Sequence, residues 1–168
     1  PGRGVLMQDA LRATQRLPGF RDACNIVLIE TSAPLRDEQA ERIEDPEWAL
    51  RLEDAPPGPS LIIGNEFLDC MPIRQFVRGD DGWHEKLVGL NEADQLTFGL
   101  SAAIPGPETD DEPGMVREIA PSLESFIYEI ERRLHEAPAR VLLIDYGYVR
   151  PEGADTLQAL KNHKKIDP

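Results

Sequence analysis

Residues 25–43 read NIVLIETSAPLRDEQAERI, and this stretch decides the fold. Asn25 to Glu30 is a short, continuous apolar run ending in an acid, the pattern of a strand buried on both faces. Ser32 then offers a helix cap, Pro34 suits a first turn, and Leu35, Gln39 and Ile43 fall on one side. Pro46 closes that pattern. The same alternation recurs outward in both directions. Leu6, Ala10, Ala13 and Leu17 keep helical spacing until Pro18 and Gly19. Ser60 to Gly64 (SLIIG) and Arg140 to Asp145 (RVLLID) are further apolar runs of strand length. Between them Leu123, Phe126, Ile127, Ile130 and Leu134 form an apolar stripe behind Ser122. Strands alternating with helices predict an α/β fold with a mostly parallel sheet.

From Ile73 to Leu100 the pattern changes. IRQFV, WHEKLVGL and QLTFGL are separated by Gly-Asp-Asp-Gly and Asn-Glu-Ala-Asp turns, which predicts an antiparallel meander inserted at about 73–100. A weaker strand is expected near Trp48 to Leu52, followed by the rigid APPGP turn at 55–59. Residues 103–114 are a polar, proline-rich loop, and the basic Lys161 to Lys165 stretch is expected to fray. There is no internal repeat, so residues 1–168 are read as a single domain. The chain opens on Pro1 inside a glycine motif, which reads as a polypeptide truncated at its front.

Eighteen basic against thirty-one acidic side chains give a net charge of −13. Such a surface repels phosphate backbones and argues against nucleic acid, whereas a basic protein partner fits. No apolar run reaches the ~20 residues that span a bilayer, so no membrane insertion is expected. Cys24 and Cys70 sit far apart among apolar residues and read as reduced core thiols of a cytoplasmic protein. Neither has metal-ligand spacing to His84, His135 or His163, so no metal site is expected. His84 and His135 have no evident partner and read as structural or exposed.

In an open parallel sheet, ligands bind outside the carboxyl ends of the strands. Gly2-Arg3-Gly4 precedes a helix, where glycines allow close backbone approach and the helix start offers N–H donors. A dinucleotide fingerprint would need a further glycine at position 7, which is Met7. Glu30 ends the next strand and can accept hydrogen bonds from both ribose hydroxyls of a nucleoside. A glycine turn plus a strand-end acid, with no pyrophosphate requirement, describes an adenosyl site, and S-adenosylmethionine is such a ligand. Asn65, Glu66 and Asp69 crowd the end of the SLIIG strand, where a carboxylate pair could grip a guanidinium bidentately. The alternative is that Glu66 and Asp69 only complement a helix dipole. Tyr146 and Tyr148 could wall a pocket or sit in the core, and Asp155 and Thr156 read as a helix cap.

Taken in order, PGRGVLM, VLIETSAPLRDEQ, IIGNEFLDCMPIRQF, GWHEKLVGL, LLIDYGYVRPEGADTLQA and HKKIDP resemble the MidA-like family, which includes a mitochondrial complex I assembly factor that methylates protein arginine. NEFLDCMP and LLIDYGY carry more of the resemblance than GRG alone. It implies a Rossmann-like class I methyltransferase fold, truncated here at both ends, with S-adenosylmethionine as methyl donor. By analogy it implies symmetric dimethylation of an arginine in the 49 kDa-type subunit of respiratory complex I, in support of its assembly. Gly2, Gly4, Glu30 and Asn65 carry over as cofactor-binding positions, and Asn65, Glu66 and Asp69 as the segment beside the reacting methyl. The family's acid and first glycine before Pro1 have no counterpart, and only Glu53 and Asp54 are candidates for its adenine contact. The location implied is the cytoplasm of a bacterium, favoured over a mitochondrial matrix; the oligomeric state stays open. The rival expectation is a binding or assembly module that keeps the fold without turnover.

Overall fold

The structure is a computed structural model describing residues 2–106, 110–147, 155–162 and 164–166. In chain order the elements begin α1 (Val5–Thr14), β1 (Ile26–Ile29), α2 (Ala33–Ala40), β2 (Pro46–Ala49) and β3 (Ser60–Asn65). The meander strands follow as β4 (Arg74–Arg78), β5 (Trp83–Leu90), β6 (Leu96–Leu100) and β7 (Val116–Ile119). The chain continues through α3 (Pro121–Glu136), β8 (Ala139–Ile144), β9 (Ala159–Lys161) and β10 (Lys164–Ile166). Contacts divide it into two compact units, Pro1–Met71 with Ser122–Tyr146, and Pro72–Pro121 with Gly147–Pro168.

The first unit carries the strand–helix alternation. β1 pairs with β2 in parallel, from Ile26 opposite Pro46 to Ile29 opposite Ala49. β3 pairs with β8 in parallel, from Ser60 opposite Ala139 to Asn65 opposite Ile144. This is the expected α/β class with parallel strands. Ile26, Leu28 and Ile43 form the core, with Met7, Leu11, Cys24 and Trp48 packed against it. Met7 and Leu11 of α1 and Ile43 just after α2 make these contacts, whereas Leu6, Ala13 and Leu17, expected on the apolar side of the first helix, are exposed. Pro46 opens β2, so that strand lies ahead of the expected Trp48 to Leu52 span. Leu52–Asp54 forms a 3-10 turn instead.

Burial corrects two expectations. β3 and β8 are not covered on both faces, for Leu61 is 63% exposed and Ile63, Leu142 and Ile144 are exposed with it. Their apolar runs fit a two-sided sheet, yet the described elements cover one side, where Phe67 and Phe126 meet at 5.2 Å. On α3, Ile130 is buried but Ile127 and Leu134 are exposed, and Glu129 and Arg133 are buried in their place. The reason is the turn before β3. Arg133, 4% exposed, donates to the carbonyls of Leu52, Ala55 and Pro56 at 2.7–2.9 Å and to Glu129 Oε1 at 2.7 Å. A long cationic side chain there satisfies carbonyls that no strand pairs.

The second unit is antiparallel, in strand order β6-β5-β4-β7. The expected meander is therefore extended by β7, whose Val116–Ile119 pairs with β4 from a stretch to which the sequence reading assigned no element. Asp155 and Thr156 cap no helix. Asp155 accepts hydrogen bonds from Gln75 at 2.7 Å and Lys86 at 2.5 Å, and Thr156 donates to Glu118 at 2.6 Å. These bonds hold residues 155 and 156 to the meander. Beyond them β9 and β10 form an antiparallel pair where fraying was expected. His84 does have partners. Its Nδ1 meets the Ser101 carbonyl and its Nε2 the Asp81 carboxylate, each at 2.8 Å, and both raise its pKa. His135 lies exposed on α3, 3.9 Å from Glu131. Cys24 packs on the core, but Cys70 is exposed rather than a core thiol.

Hydrogen bonds from Arg132, with Arg133 adding to them, hold the Glu129 carboxyl at about 2, down from an ordinary 4.5. A depressed carboxyl stabilises the fold above pH 4.5, and that contribution disappears as pH falls from 4.5 through 2. Chemical denaturation near neutral pH and near pH 3 should therefore show wild type losing more stability than Glu129→Gln; equal losses would refute the pairing. Arg133→Met, which leaves the Leu52, Ala55 and Pro56 carbonyls without this donor while Arg132 still pairs Glu129, should cost about 1–3 kcal/mol in the same measurement.

Candidate functional site

The expected site residues fall into two clusters, both in the first unit, at the carboxyl ends of the two parallel strand pairs. Gly2 and Gly4 lie before α1, with φ of +54° and +82°. Gly4 is buried, and a Cβ there would come within 3.2 Å of Ile43 Cδ1 and 3.3 Å of Gln39 Cγ. Glycine is required at position 4 on two counts, its left-handed backbone and its close neighbours. No side chain caps the start of α1, and its first turn contains no acid, so an anionic or polar ligand meets no competing carboxylate there.

Glu30 follows β1, with its backbone N–H donating to Ala49 of β2 at 3.1 Å. Its Oε1 accepts the Ser32 N–H at 2.9 Å and its Oε2 the Gln39 amide at 3.3 Å. An ionised carboxylate has about four lone-pair sites. The half-buried Glu30 thus keeps acceptor capacity for a diol while its orientation is fixed. Gln39, fully buried, also donates to the Gly2 carbonyl at 2.6 Å and accepts from Trp48 Nε1 at 2.8 Å. The structure therefore brings Gly2, Gly4 and Glu30 together through a residue given no role in the sequence reading. The signal was present: a polar Gln39 between Leu35 and Ile43 on an otherwise apolar helix side.

The second cluster follows β3. Glu66 has φ +50°, an uncommon backbone state for a residue with a Cβ. It is held there by its N–H donating to Ile144 at 2.7 Å, and its Oε1 accepts the Tyr146 hydroxyl at 3.3 Å. Asn65, Glu66 and Asp69 are exposed. Only a three-residue 3-10 turn, Leu68–Cys70, follows, and the Leu68 N–H is taken by Asp145 Oδ2 at 2.8 Å. Glu66 and Asp69 are therefore not needed to neutralise a helix start. Asp145, assigned no task from sequence, does that capping and also accepts the Tyr146 N–H at 2.9 Å. Tyr146 is 76% exposed and so is not a core aromatic, while Tyr148 lies outside the described residues. Among the described residues no hydrogen bond joins the two clusters. Glu53 and Asp54 lie in the turn after β2, each within 3.6 Å of Arg51.

A family described as "Putative S-adenosyl-L-methionine-dependent methyltransferase" matches residues 1–168. The chain belongs to this family. S-adenosylmethionine is the family's cofactor, as the glycine turn and the strand-end acid led us to expect. Over 99% of its length the chain is 32% identical to the mitochondrial protein arginine methyltransferase NDUFAF7 homolog of Caenorhabditis elegans, covering 46% of that protein. The Homo sapiens NDUFAF7 is 27% identical over the same share, with 45% covered. The chain thus spans about half the length of these relatives. A crystal structure of a Burkholderia thailandensis protein superposes on 99% of the chain and 49% of its own, with a TM-score of 0.74 at 24% identity. A second from that organism, bound to S-adenosyl-homocysteine, covers 87% with a TM-score of 0.63.

The glycine geometry yields a stability comparison. Alanine at Gly2 meets nothing within 4 Å, so it should cost only the left-handed backbone, about 1–2 kcal/mol. Gly4→Ala should cost at least about 1 kcal/mol more, because the new methyl also overpacks Ile43 and Gln39. Urea unfolding of the two variants measures the difference, and equal losses would mean that position 4 is not tightly packed.

Proposed function

We propose that the whole protein is an S-adenosylmethionine-dependent methyltransferase acting on a protein arginine, with Gly2, Gly4, Glu30 and Asn65 at the cofactor and Asn65, Glu66 and Asp69 at the acceptor. The observation that carries the reading is the hydrogen-bonded junction of the glycine turn with Glu30, two features the sequence separates by 26 residues. The residues present fit an adenosyl group. Gly2 faces open space, with nothing within 4 Å of where a Cβ would stand, and Glu30 retains free acceptor sites. The nature of the acceptor rests on the relatives, which are named protein arginine methyltransferases.

In this reading the two glycines let the backbone lie against the cofactor, and Glu30 accepts from its ribose hydroxyls. When bound, S-adenosylmethionine supplies a methyl on a positively charged sulfur, and transfer forms a nitrogen–carbon bond as the carbon–sulfur bond breaks. Glu66 and Asp69 hold the guanidinium bidentately and leave one nitrogen free to attack. Their carboxylates also take up the proton that leaves this nitrogen. The held backbone at Glu66 serves that task, since positioning the nucleophile is the main demand of an in-line displacement. The net charge of −13 suits a basic protein segment as substrate. Symmetric dimethylation of a respiratory complex I subunit, and a role in assembling that complex, are the finer form of the proposal and rest on the MidA-like resemblance. The curated relatives are named mitochondrial; in a bacterium the counterpart is the cytoplasm.

Calorimetric titration of S-adenosylhomocysteine into the full-length protein tests the first half. Saturable binding is expected, and Glu30→Ala should weaken it by about tenfold or more, the scale of hydrogen bonds to a charged group. A folded protein that shows no binding would sink the enzyme reading in favour of a non-catalytic assembly module. For the second half, radiolabelled methyl transfer to arginine-containing protein should fall to background in a Glu66→Ala/Asp69→Ala double variant that still binds S-adenosylhomocysteine. Undiminished transfer would remove these carboxylates from the mechanism.

A further inference from the structure

We infer that Gln39 is a positioning residue for the adenosyl site, setting the Glu30 carboxylate so that it can discriminate ribose hydroxyls. This inference rests on the reading of Glu30 as the ribose acceptor. Gln39 is the one fully buried large side chain among the described residues, on a helix side whose other members are apolar. A methionine would fill the same volume without burying an amide, so packing alone does not call for glutamine. The amide instead makes hydrogen bonds to three separate segments: Gly2 before α1, Glu30 after β1, and Trp48 in β2.

The chemistry of these partners fixes which way the amide points. An indole N–H can only donate, so the Gln39 oxygen must face Trp48. The NH2 group is then directed at two acceptors, the Gly2 carbonyl and Glu30 Oε2. A flipped amide would set donor against donor at Trp48 and acceptor against carboxylate at Glu30. Ser32 holds the other Glu30 oxygen through its N–H. With one N–H on each oxygen, the carboxylate cannot rotate without losing a bond. Its remaining lone pairs therefore keep a set direction, which a rigid diol requires. The Gly4 backbone lies so close to Gln39 that a Cβ there would reach Gln39 Cγ at 3.3 Å and Cα at 3.5 Å. Glycine at 4 and glutamine at 39 are thus matched parts of one construction.

The test compares S-adenosylhomocysteine with its 2′-deoxyribose analogue, titrated into the full-length wild type, Glu30→Ala and Gln39→Met. Wild type should prefer the ribose ligand by about tenfold, the worth of a hydrogen bond to a charged group. Glu30→Ala should bring that ratio close to one, and Gln39→Met should bring it most of the way there. A Gln39→Met protein that keeps the wild-type ratio, whatever its melting temperature, would overturn the inference and leave Gln39 a structural residue. Should Gln39→Met not fold, Trp48→Phe keeps an aromatic ring against the core and removes the N–H that orients the amide, along with part of the indole's volume. Its ratio should fall as well, and an unchanged ratio overturns the inference. Two other results would overturn the ribose reading itself, and this inference with it: no binding by wild type, or a ratio unaffected by Glu30→Ala.

Discussion

Gln39 is buried without solvent between a glycine turn, a strand end and an indole, and its amide has one orientation in which every partner is satisfied. Burying an amide costs free energy unless its hydrogen bonds are made, so the three segments are tied to each other's positions. The start of α1 cannot shift without losing the Gly2 bond, and Glu30 cannot turn without losing both the Gln39 and Ser32 bonds. Ile26, Leu28 and Ile43 form the apolar bed under this junction, and Ile43 also limits position 4 to glycine. Apolar packing brings α1 and Ile43, just after α2, onto β1, while polar bonding fixes how the Glu30 carboxylate is turned.

The second strand pair obeys a related constraint. In the parallel register of β3 with β8, Asn65 lies opposite Ile144, so Glu66 and Asp145 emerge side by side. Asp145 takes the Leu68 N–H and thereby frees the acidic side chains of the NEFLD segment from capping. Glu66 is left exposed in a left-handed backbone state, its carboxylate accepting from the Tyr146 hydroxyl and its carbonyl from Cys70 Sγ. A left-handed backbone at a residue other than glycine costs stability and persists where the surroundings over-determine it. At a distance from either cluster, Arg133 supports the frame by serving three carbonyls of the turn that leads into β3.

Family membership and these local geometries bear on different questions. The family match spans residues 1–168 and names the cofactor class. It does not say which side chains grip it. The glycine turn and Glu30 are joined through the Gln39 amide, which donates to the Gly2 carbonyl and to Glu30 Oε2. A chain covering 46% of its Caenorhabditis elegans relative presents these two strand-end clusters, and the acceptor chemistry belongs to the protein as a whole.

The sequence by itself determined the local elements that rest on periodicity and chain-breaking residues: helices α1 and α3, strands β1, β3 and β8, and the hairpins of β4 to β6. It also placed Glu30, Asn65 and Glu66 at strand ends and Gly2 and Gly4 ahead of a helix, because strand ends and chain-turning glycines are recognisable from the local pattern. Where sequence failed, the partner lay far along the chain. β7 reads Val116, Arg117, Glu118 and Ile119, two apolar residues around two charged ones with no strand alternation, and only pairing with β4 makes it a strand. Asp155 looked like a helix cap because its short polar side chain suits one, but Gln75 and Lys86, about 70 to 80 residues earlier, claim both its oxygens. Gln39 looked like one more residue on a helix side. Its meaning came only when folding placed Gly2, Glu30 and Trp48 around it, since hydrogen-bond partners are chosen by proximity in space and spacing along the chain does not record them.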